Sequence, residues 1–164
     1  MRSSKLTDRE AYFELKCRAR SGLISAVRRF LGIWLDPVLG DPDAVARAAL
    51  AVHELLENAL QYASDGAATL RVEVLREGGA MVILIQTWNL ASADHVSALE
   101  RMLYEIARLP YEQHVARSVR QDRHASSSGL GLARVRAEGE AALSHEVVGN
   151  RVSISARIRA ATTV

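Results

Sequence analysis

The sequence is poor in cysteine, proline and aromatic residues. It holds one cysteine, Cys17, and three prolines among 164 residues, and aromatic side chains make up 5%. A single cysteine cannot form an internal disulfide. No apolar run approaches the roughly 18 residues that a membrane-spanning helix needs. The segment that starts at Met1 turns charged where a signal peptide would turn apolar, so we expect a cytoplasmic protein with no membrane association.

The excess of one sign of charge over the other is also small. The 21 Lys and Arg residues and 19 Asp and Glu residues leave a net charge of +2, and the basic residues are spread along the chain. This distribution argues against nucleic acid as the partner, since no predicted helix carries a clear basic face. Hydrophobic residues are abundant and make up 49% of the chain. That content and this length allow one sizeable core.

The first 42 residues predict a helix followed by a loop. Thr7-Asp-Arg-Glu10 resembles a capping box, opening a helix that continues through Trp34 and ends near Asp36-Pro37. The face with Phe30, Leu31 and Trp34 is either core or the surface of a homodimer or partner contact. Asp41 or Asp43 then caps a second helix, over residues 43–63. We expect residues 1–42 to form an N-terminal helix and loop in one compact unit with the domain of residues 43–164.

The remaining elements alternate between strands and helices. Strands are predicted at 69–75 and 80–87 around Gly78-Gly79, a helix at 93–108 and an irregular stretch up to Ser128. A helix from Gly129 to about Leu143 and a hairpin with arms 144–148 and 151–158 complete the order. This order predicts an α/β two-layer sandwich, with helices on one face of a mixed sheet.

Helix two carries a polar pair beside its apolar stripe. Glu54 and Asn58 are four residues apart, so they share one surface of the helix. A carboxylate there can activate a nucleophile and an amide oxygen can hold a metal ion. A zinc-protease reading is disfavoured, because the residue four after His53 is Glu57 rather than a second histidine.

A second signal is the segment Ser126-Ser-Ser-Gly-Leu-Gly-Leu132. It places Gly129 and Gly131 where a loop enters a helix, an arrangement by which backbone N–H groups and a helix N-terminus bind phosphate. Taken alone, the glycines also fit an ordinary helix-entry loop. Together with Glu54 and Asn58, they predict a nucleotide site.

Over residues 43–158 the chain resembles the GHKL superfamily, which includes histidine-kinase catalytic domains, gyrase and MutL ATPases, and anti-sigma serine kinases. Glu54-Leu-Leu-Glu-Asn58-Ala is similar to its N-box, and Gly129-Leu130-Gly131-Leu132 to its second glycine box. The resemblance implies a Bergerat-type ATP-binding fold. It also implies ATP and Mg²⁺ as cofactors and a small regulatory protein as partner.

The same resemblance implies roles for individual residues. Glu54 would be the general base and Asn58 the magnesium ligand, while Ser128 and the Gly129 to Leu132 segment would contact phosphate. Among the intervening residues, Arg117, Arg120, Arg123 and His124 are alternatives for facing the terminal phosphate. The sequence does not choose among these four.

One position departs from the family pattern. Where the family has Asp-x-Gly-x-Gly, this chain has Thr87-Trp-Asn-Leu-Ala-Ser-Ala-Asp94. Asn89 can offer an amide oxygen to an adenine amino group in place of the aspartate. An Asn here, followed by a helix and a Gly-Leu-Gly box, is similar to the SiaB-type branch of bacterial signalling kinases.

Two functions therefore stand ahead of the others. The first is a bacterial Mg-ATP-dependent serine/threonine kinase, or an anti-sigma-like regulator, that acts on a small protein. The second is a GHKL-fold interaction module that has lost nucleotide binding. A histidine kinase is less favoured, because helix one has no histidine and no second dimerisation helix precedes the N-box.

Overall fold

Five strands and five helices make up residues 8–120 and 128–161, the part of the chain that this computed structural model describes. The elements are, in order, β1 (Asp8–Arg18), α1 (Leu23–Leu39), α2 (Pro42–Tyr62), β2 (Ala67–Glu77), β3 (Ala80–Leu90), α3 (Ala93–Arg108), α4 (Tyr111–Arg120), α5 (Ser128–Ala137), β4 (Ala142–Val148) and β5 (Arg151–Arg159).

The strands form one sheet in the order β1-β2-β3-β5-β4. All four neighbouring pairs are antiparallel, so the prediction of a mixed sheet is wrong. The reason is that β4 and β5 form a hairpin and β5 then runs antiparallel beside β3. The two-layer α/β architecture is confirmed.

The core lies between the sheet and α2. Alternate side chains of β2, β3 and β5 point towards the helices, as the period of two in a strand requires. Side chains of α2, spaced by three and four, fill the space above them. The fully buried large residues of these elements include Val52, Leu55, Leu56, Leu70, Val72, Ile83, Ile85, Ile154 and Ile158.

The prediction of one helix from residue 12 to 34 is wrong in its first half. Residues Asp8–Arg18 are β1, and α1 begins only at Leu23. Phe13, Leu15 and Cys17 pack against the core while the residues between them do not, which is the alternation of a strand. The proposed capping box fails for this reason, and its first residue, Thr7, lies outside the described residues.

The predicted boundary between the first two helices is nearly correct. α1 passes through Pro37 and ends at Leu39, because Gly40 adopts φ 59° and its N–H donates to the Asp36 carbonyl. Asp41 then caps α2, and its side chain accepts a hydrogen bond from the Ala44 N–H at 3.1 Å. Since α1 packs against α2, the N-terminal helix joins the core of the following residues.

Two further predictions need correction near the C-terminal half. The stretch after Pro110 was predicted to be irregular, but Tyr111–Arg120 is helix α4. The helix that opens at the glycines ends at Ala137 rather than Leu143, since Ala142 already belongs to β4.

Within residues 8–120 and 128–161, no helix is both long and apolar enough to cross a membrane.

Candidate functional site

Helix α2 presents Glu54 and Asn58 towards the helices that follow β3. The Asn58 side chain is 5% exposed, and its amide nitrogen has no hydrogen-bond partner within the described parts of the chain. A buried amide without a partner costs about 1–3 kcal/mol. The Asn58 amide nitrogen therefore lowers the stability of the fold, as expected of a group whose partner is a ligand.

A pocket of about 80 Å³ opens beside Asn58, between α2, the end of β3 and α3. Its lining residues are Asn58, Tyr62, Asn89, Ala91, His95, Ala98, Leu99, Met102 and Val152. The lining is mostly apolar with a few polar groups, which is typical of small-molecule sites. The structure thus brings together Asn58 and Asn89, which are predicted site residues from two separate segments.

Asn89 lies on the helix-facing side of β3, next to Ala68 of β2 and Val152 of β5 in register. Its amide nitrogen donates to the Leu90 carbonyl at 3.3 Å. This bond orients the side chain at the rim of the pocket, where the sequence had predicted a contact with adenine.

Glu54 faces helix α5 rather than this pocket. Its carboxylate pairs with Arg134 at 3.1 Å, and its side chain is 10% exposed. Burial raises the pKa of Glu54, while His53 and Arg134 oppose that increase. A raised pKa suits a general base or acid, because proton transfer is most effective when the pKa lies near the working pH.

Arg134 was not identified from the sequence. It lies one helical turn after Gly131 and also contacts Glu138 of its own helix at 3.4 Å. Its three-residue spacing from the glycine was the available signal, since residues i and i+3 share a helix face. The Arg134 guanidinium thus holds the Glu54 carboxylate in place.

Gly129 and Gly131 lie in the first turn of α5, where side chains of α3 and α2 lie close to them. A Cβ on Gly129 would lie 2.9 Å from the Met102 sulfur, and one on Gly131 would overlap the Glu54 carboxylate. Met102 also lines the pocket, so it joins the glycine segment to Asn58 and Asn89.

The other residues of the glycine box have different surroundings. Leu132 is fully buried and belongs to the core, Leu130 is half-buried, and Ser128 begins the helix. Ser126 and Ser127 lie outside the described residues. Contacts of Ser128, Leu130 and Leu132 with phosphate stay predictions.

The four candidates for the terminal phosphate are spread along this region. Arg117 of α4 pairs with Glu105 of α3 at 3.2 Å, and Arg120 is the last residue of α4. Arg123 and His124 lie outside the described residues. The structure therefore does not select one of the four.

The residues of the site fit a magnesium nucleotide if phosphate and water supply most of the oxygen ligands of the metal. Within the described ranges, no group of three or more His, Cys, Asp or Glu side chains is arranged to hold a metal. Asn58 would supply one side-chain oxygen, and phosphate and water oxygens would have to complete the shell. Mg²⁺ commonly binds proteins in this way.

Comparisons with known proteins bear on the fold. No family model and no curated protein matches the chain. Among solved structures, it matches a chain of "The crystal structure of SiaB-SiaC complex from Pseudomonas aeruginosa" with a TM-score of 0.61 and 22% identity. The match covers 90% of this chain and 89% of that one. The likeness establishes the fold alone. It agrees with the two-layer α/β architecture that the order of elements predicts.

Proposed function

We propose that this protein is a bacterial signalling regulator that binds Mg-ATP between α2, β3 and α3 and phosphorylates a small protein partner on serine or threonine. The observation that carries the proposal is the meeting of Asn58 and Asn89 in one pocket, where the buried Asn58 amide nitrogen has no hydrogen-bond partner within residues 8–120 and 128–161. Two motif positions far apart in sequence converge there, as a nucleotide site requires.

Each residue has a role within this proposal. Asn58 holds the magnesium ion that neutralises phosphate charge, and Asn89 hydrogen-bonds the base. Glu54 accepts the proton of the attacking hydroxyl, for which its burial and raised pKa suit it. Backbone N–H groups in the first turn of α5 face the phosphates, where the helix dipole favours negative charge.

The protein partner is supported by the comparison. The matching chain comes from a structure of a complex between two proteins, and the match spans nearly all of both chains. A complete fold of this kind provides a platform on which a partner can be recognised.

Thermal unfolding with Mg-ATP, Mg-ADP and metal-free ATP tests the nucleotide site. Ligand at about 100 times its dissociation constant adds about 2.7 kcal/mol to the native state. We expect a magnesium-dependent rise in Tm that Asn58→Ala abolishes and Glu54→Ala retains. Glu54→Ala should instead abolish phosphate transfer to a partner captured from the source cell. A Tm shift that survives Asn58→Ala would contradict the assigned site.

A second function, an interaction module without nucleotide, is favoured by two observations. The pocket of about 80 Å³ is small beside typical ligand sites of about 300–1,000 Å³. Glu54 is also already paired with Arg134. The absence of any Tm shift at millimolar nucleotide, together with partner binding by the unliganded protein, would establish this alternative.

A further inference from the structure

A second cavity, of about 330 Å³, lies where the end of α3 and the start of α4 meet α5. It shares no lining residue with the pocket of Asn58 and Asn89. Its volume is within the range of about 300–1,000 Å³ that is typical of small-molecule sites. We call it the α3–α5 cavity. It has room for a ligand that is separate from any nucleotide.

Basic side chains from three helices line this cavity. Arg108 comes from α3, His114 from α4 and Arg136 from α5. Within the described residues, no Asp or Glu belongs to its lining. The α3–α5 cavity therefore carries positive charge without a negative group of its own.

The two arginines of the cavity differ from their neighbours in lacking a carboxylate partner. Arg117 and Arg134, on the same group of helices, each pair with a glutamate, at 3.2 Å and 3.1 Å. Neither Arg108 nor Arg136 forms an ion pair in the part of the chain that the structure describes. Two guanidinium groups beside one cavity are thus left for an external anion, with which arginine forms its strongest hydrogen bonds.

The contacts that these arginines do make leave most of their donors free. The Arg108 guanidinium lies over the Tyr104 ring at 4.8 Å, a contact made through its charge. Arg136 donates one N–H to the Ile106 carbonyl, which joins α5 to the end of α3. Since a guanidinium has five N–H groups, both side chains keep donors for a ligand.

His114 adds a third polar group to the cavity. Its Nε2 atom is buried and has no hydrogen-bond partner within residues 8–120 and 128–161. A buried polar atom without a partner costs stability, and a protonated Nε2 donates to an oxygen acceptor. A ligand oxygen in the α3–α5 cavity would supply the missing partner.

This set of donors fits a phosphate group better than a carboxylate. A phosphate monoester has three terminal oxygens, one for each of the two guanidinium groups and the imidazole. A carboxylate has two oxygens in one plane, which suit a single arginine. The rest of the lining includes Leu109, Pro110 and Ala137 and is apolar, so it accommodates an organic group beside the phosphate.

We propose that the α3–α5 cavity binds a small phosphate monoester. Its phosphate group lies between Arg108, His114 and Arg136, and its organic group lies against the apolar lining. This site is separate from the pocket of Asn58, and the proposal does not depend on nucleotide binding.

Calorimetric titration of the full chain with phenyl phosphate, inorganic phosphate and benzoate tests the ligand class. We expect phenyl phosphate to bind about threefold or more tightly than inorganic phosphate, because its ring covers part of the apolar lining. Benzoate should bind more weakly than phenyl phosphate, since it offers one oxygen fewer. No binding of phenyl phosphate at millimolar concentration, or tighter binding of benzoate, would overturn the proposal.

Arg108→Met tests the location of the site. It should raise the dissociation constant of phenyl phosphate about tenfold, which corresponds to about 1.4 kcal/mol. Arg101→Met is the matched control, because Arg101 is an exposed arginine of the same helix that lines neither pocket. The control should leave the dissociation constant unchanged. Equal weakening by both variants would reveal attraction by net charge alone and would overturn the site.

His114→Leu separates binding from folding. It removes a buried nitrogen that has no partner among the described residues, so the Tm of the free protein should not fall. The dissociation constant of phenyl phosphate should nevertheless rise about tenfold. Unchanged binding by His114→Leu would contradict its place in the site. Because Arg108 is exposed, Arg108→Met keeps the test decisive if His114→Leu does not fold.

Discussion

Gly131 of α5 lies directly against the Glu54 carboxylate of α2, so close that any side chain at this position would overlap it. The same carboxylate pairs with Arg134 one turn further along α5. The glycine therefore sets how near the two helices approach, and the arginine then reaches the acid. The position of Glu54 depends on both residues.

Gly131→Ala should fail to give the stabilisation that alanine brings to a helix. Gly32 of α1 is the matched control, because no atom lies within 4 Å of a Cβ built there. Gly32→Ala should raise the free energy of unfolding by about 0.5–1 kcal/mol. Gly131→Ala should lower it, since the Glu54 carboxylate must move away from Arg134. Urea unfolding of both variants measures the difference, and equal stabilisation would show that the Glu54 side chain moves aside without cost.

Asn58→Leu should stabilise the ligand-free protein and remove ligand binding. The replacement has a similar shape and eliminates a buried amide nitrogen that has no hydrogen-bond partner among the described residues, so we expect a gain of about 1 kcal/mol. Thr87→Val is the control, because the Thr87 hydroxyl is also buried without a partner in the described structure but does not line the pocket. Both variants should unfold at higher urea, and only Thr87→Val should keep a nucleotide-dependent Tm. Loss of the Tm shift in both variants would locate the site elsewhere.

Glu54→Gln should become more stable relative to the wild type as pH rises. Burial raises the pKa of Glu54 above its ordinary value near 4.5, so the folded state holds this proton more tightly than the unfolded state. The contribution of Glu54 to stability is then fully present below that ordinary value and is lost as pH rises through the folded pKa. Urea unfolding between about pH 4 and pH 7 measures the trend. Glu57→Gln, whose parent side chain is 56% exposed, is the control on the same helix. A difference that falls as pH rises would refute the buried state of Glu54.

Arg134→Met should raise the pKa of Glu54 further. The Arg134 guanidinium stabilises the ionised carboxylate, and methionine keeps much of the side-chain length without the charge. Carboxyl-carbon NMR titration of selectively labelled protein follows the change directly. Arg117→Met removes an exposed arginine that pairs with Glu105 instead, and it should leave the Glu54 titration where it was. A Glu54 pKa that stays unchanged in Arg134→Met would mean that another cation replaces Arg134.

Some elements of the fold follow from local rules that the surroundings do not override. α2 was predicted within one residue at each end, because Asp41 caps it and its apolar residues recur at helical spacing. The hairpins at Gly78-Gly79 and Gly149-Asn150 were also predicted, since Gly78, Gly79 and Gly149 adopt the positive φ of tight turns. β1 was not predicted, because Thr7-Asp-Arg-Glu10 resembles a capping box and suggested a helix. The period of two in the residues that follow is that of a strand. α4 was missed because a short polar helix has too few apolar residues to show a period.

The sequence by itself determined the two-layer architecture, helix α2 with Glu54 and Asn58 on one surface, and the glycines that open α5. These features depend on residues close together in the chain, where backbone preference and apolar spacing act directly. Only the tertiary structure decided that Asn58 and Asn89 share a pocket, that Arg134 pairs with Glu54, and that β1 is an edge strand of the sheet. Each of these relationships joins segments distant in sequence. They depend on how the helices pack on the sheet, which local spacing does not specify.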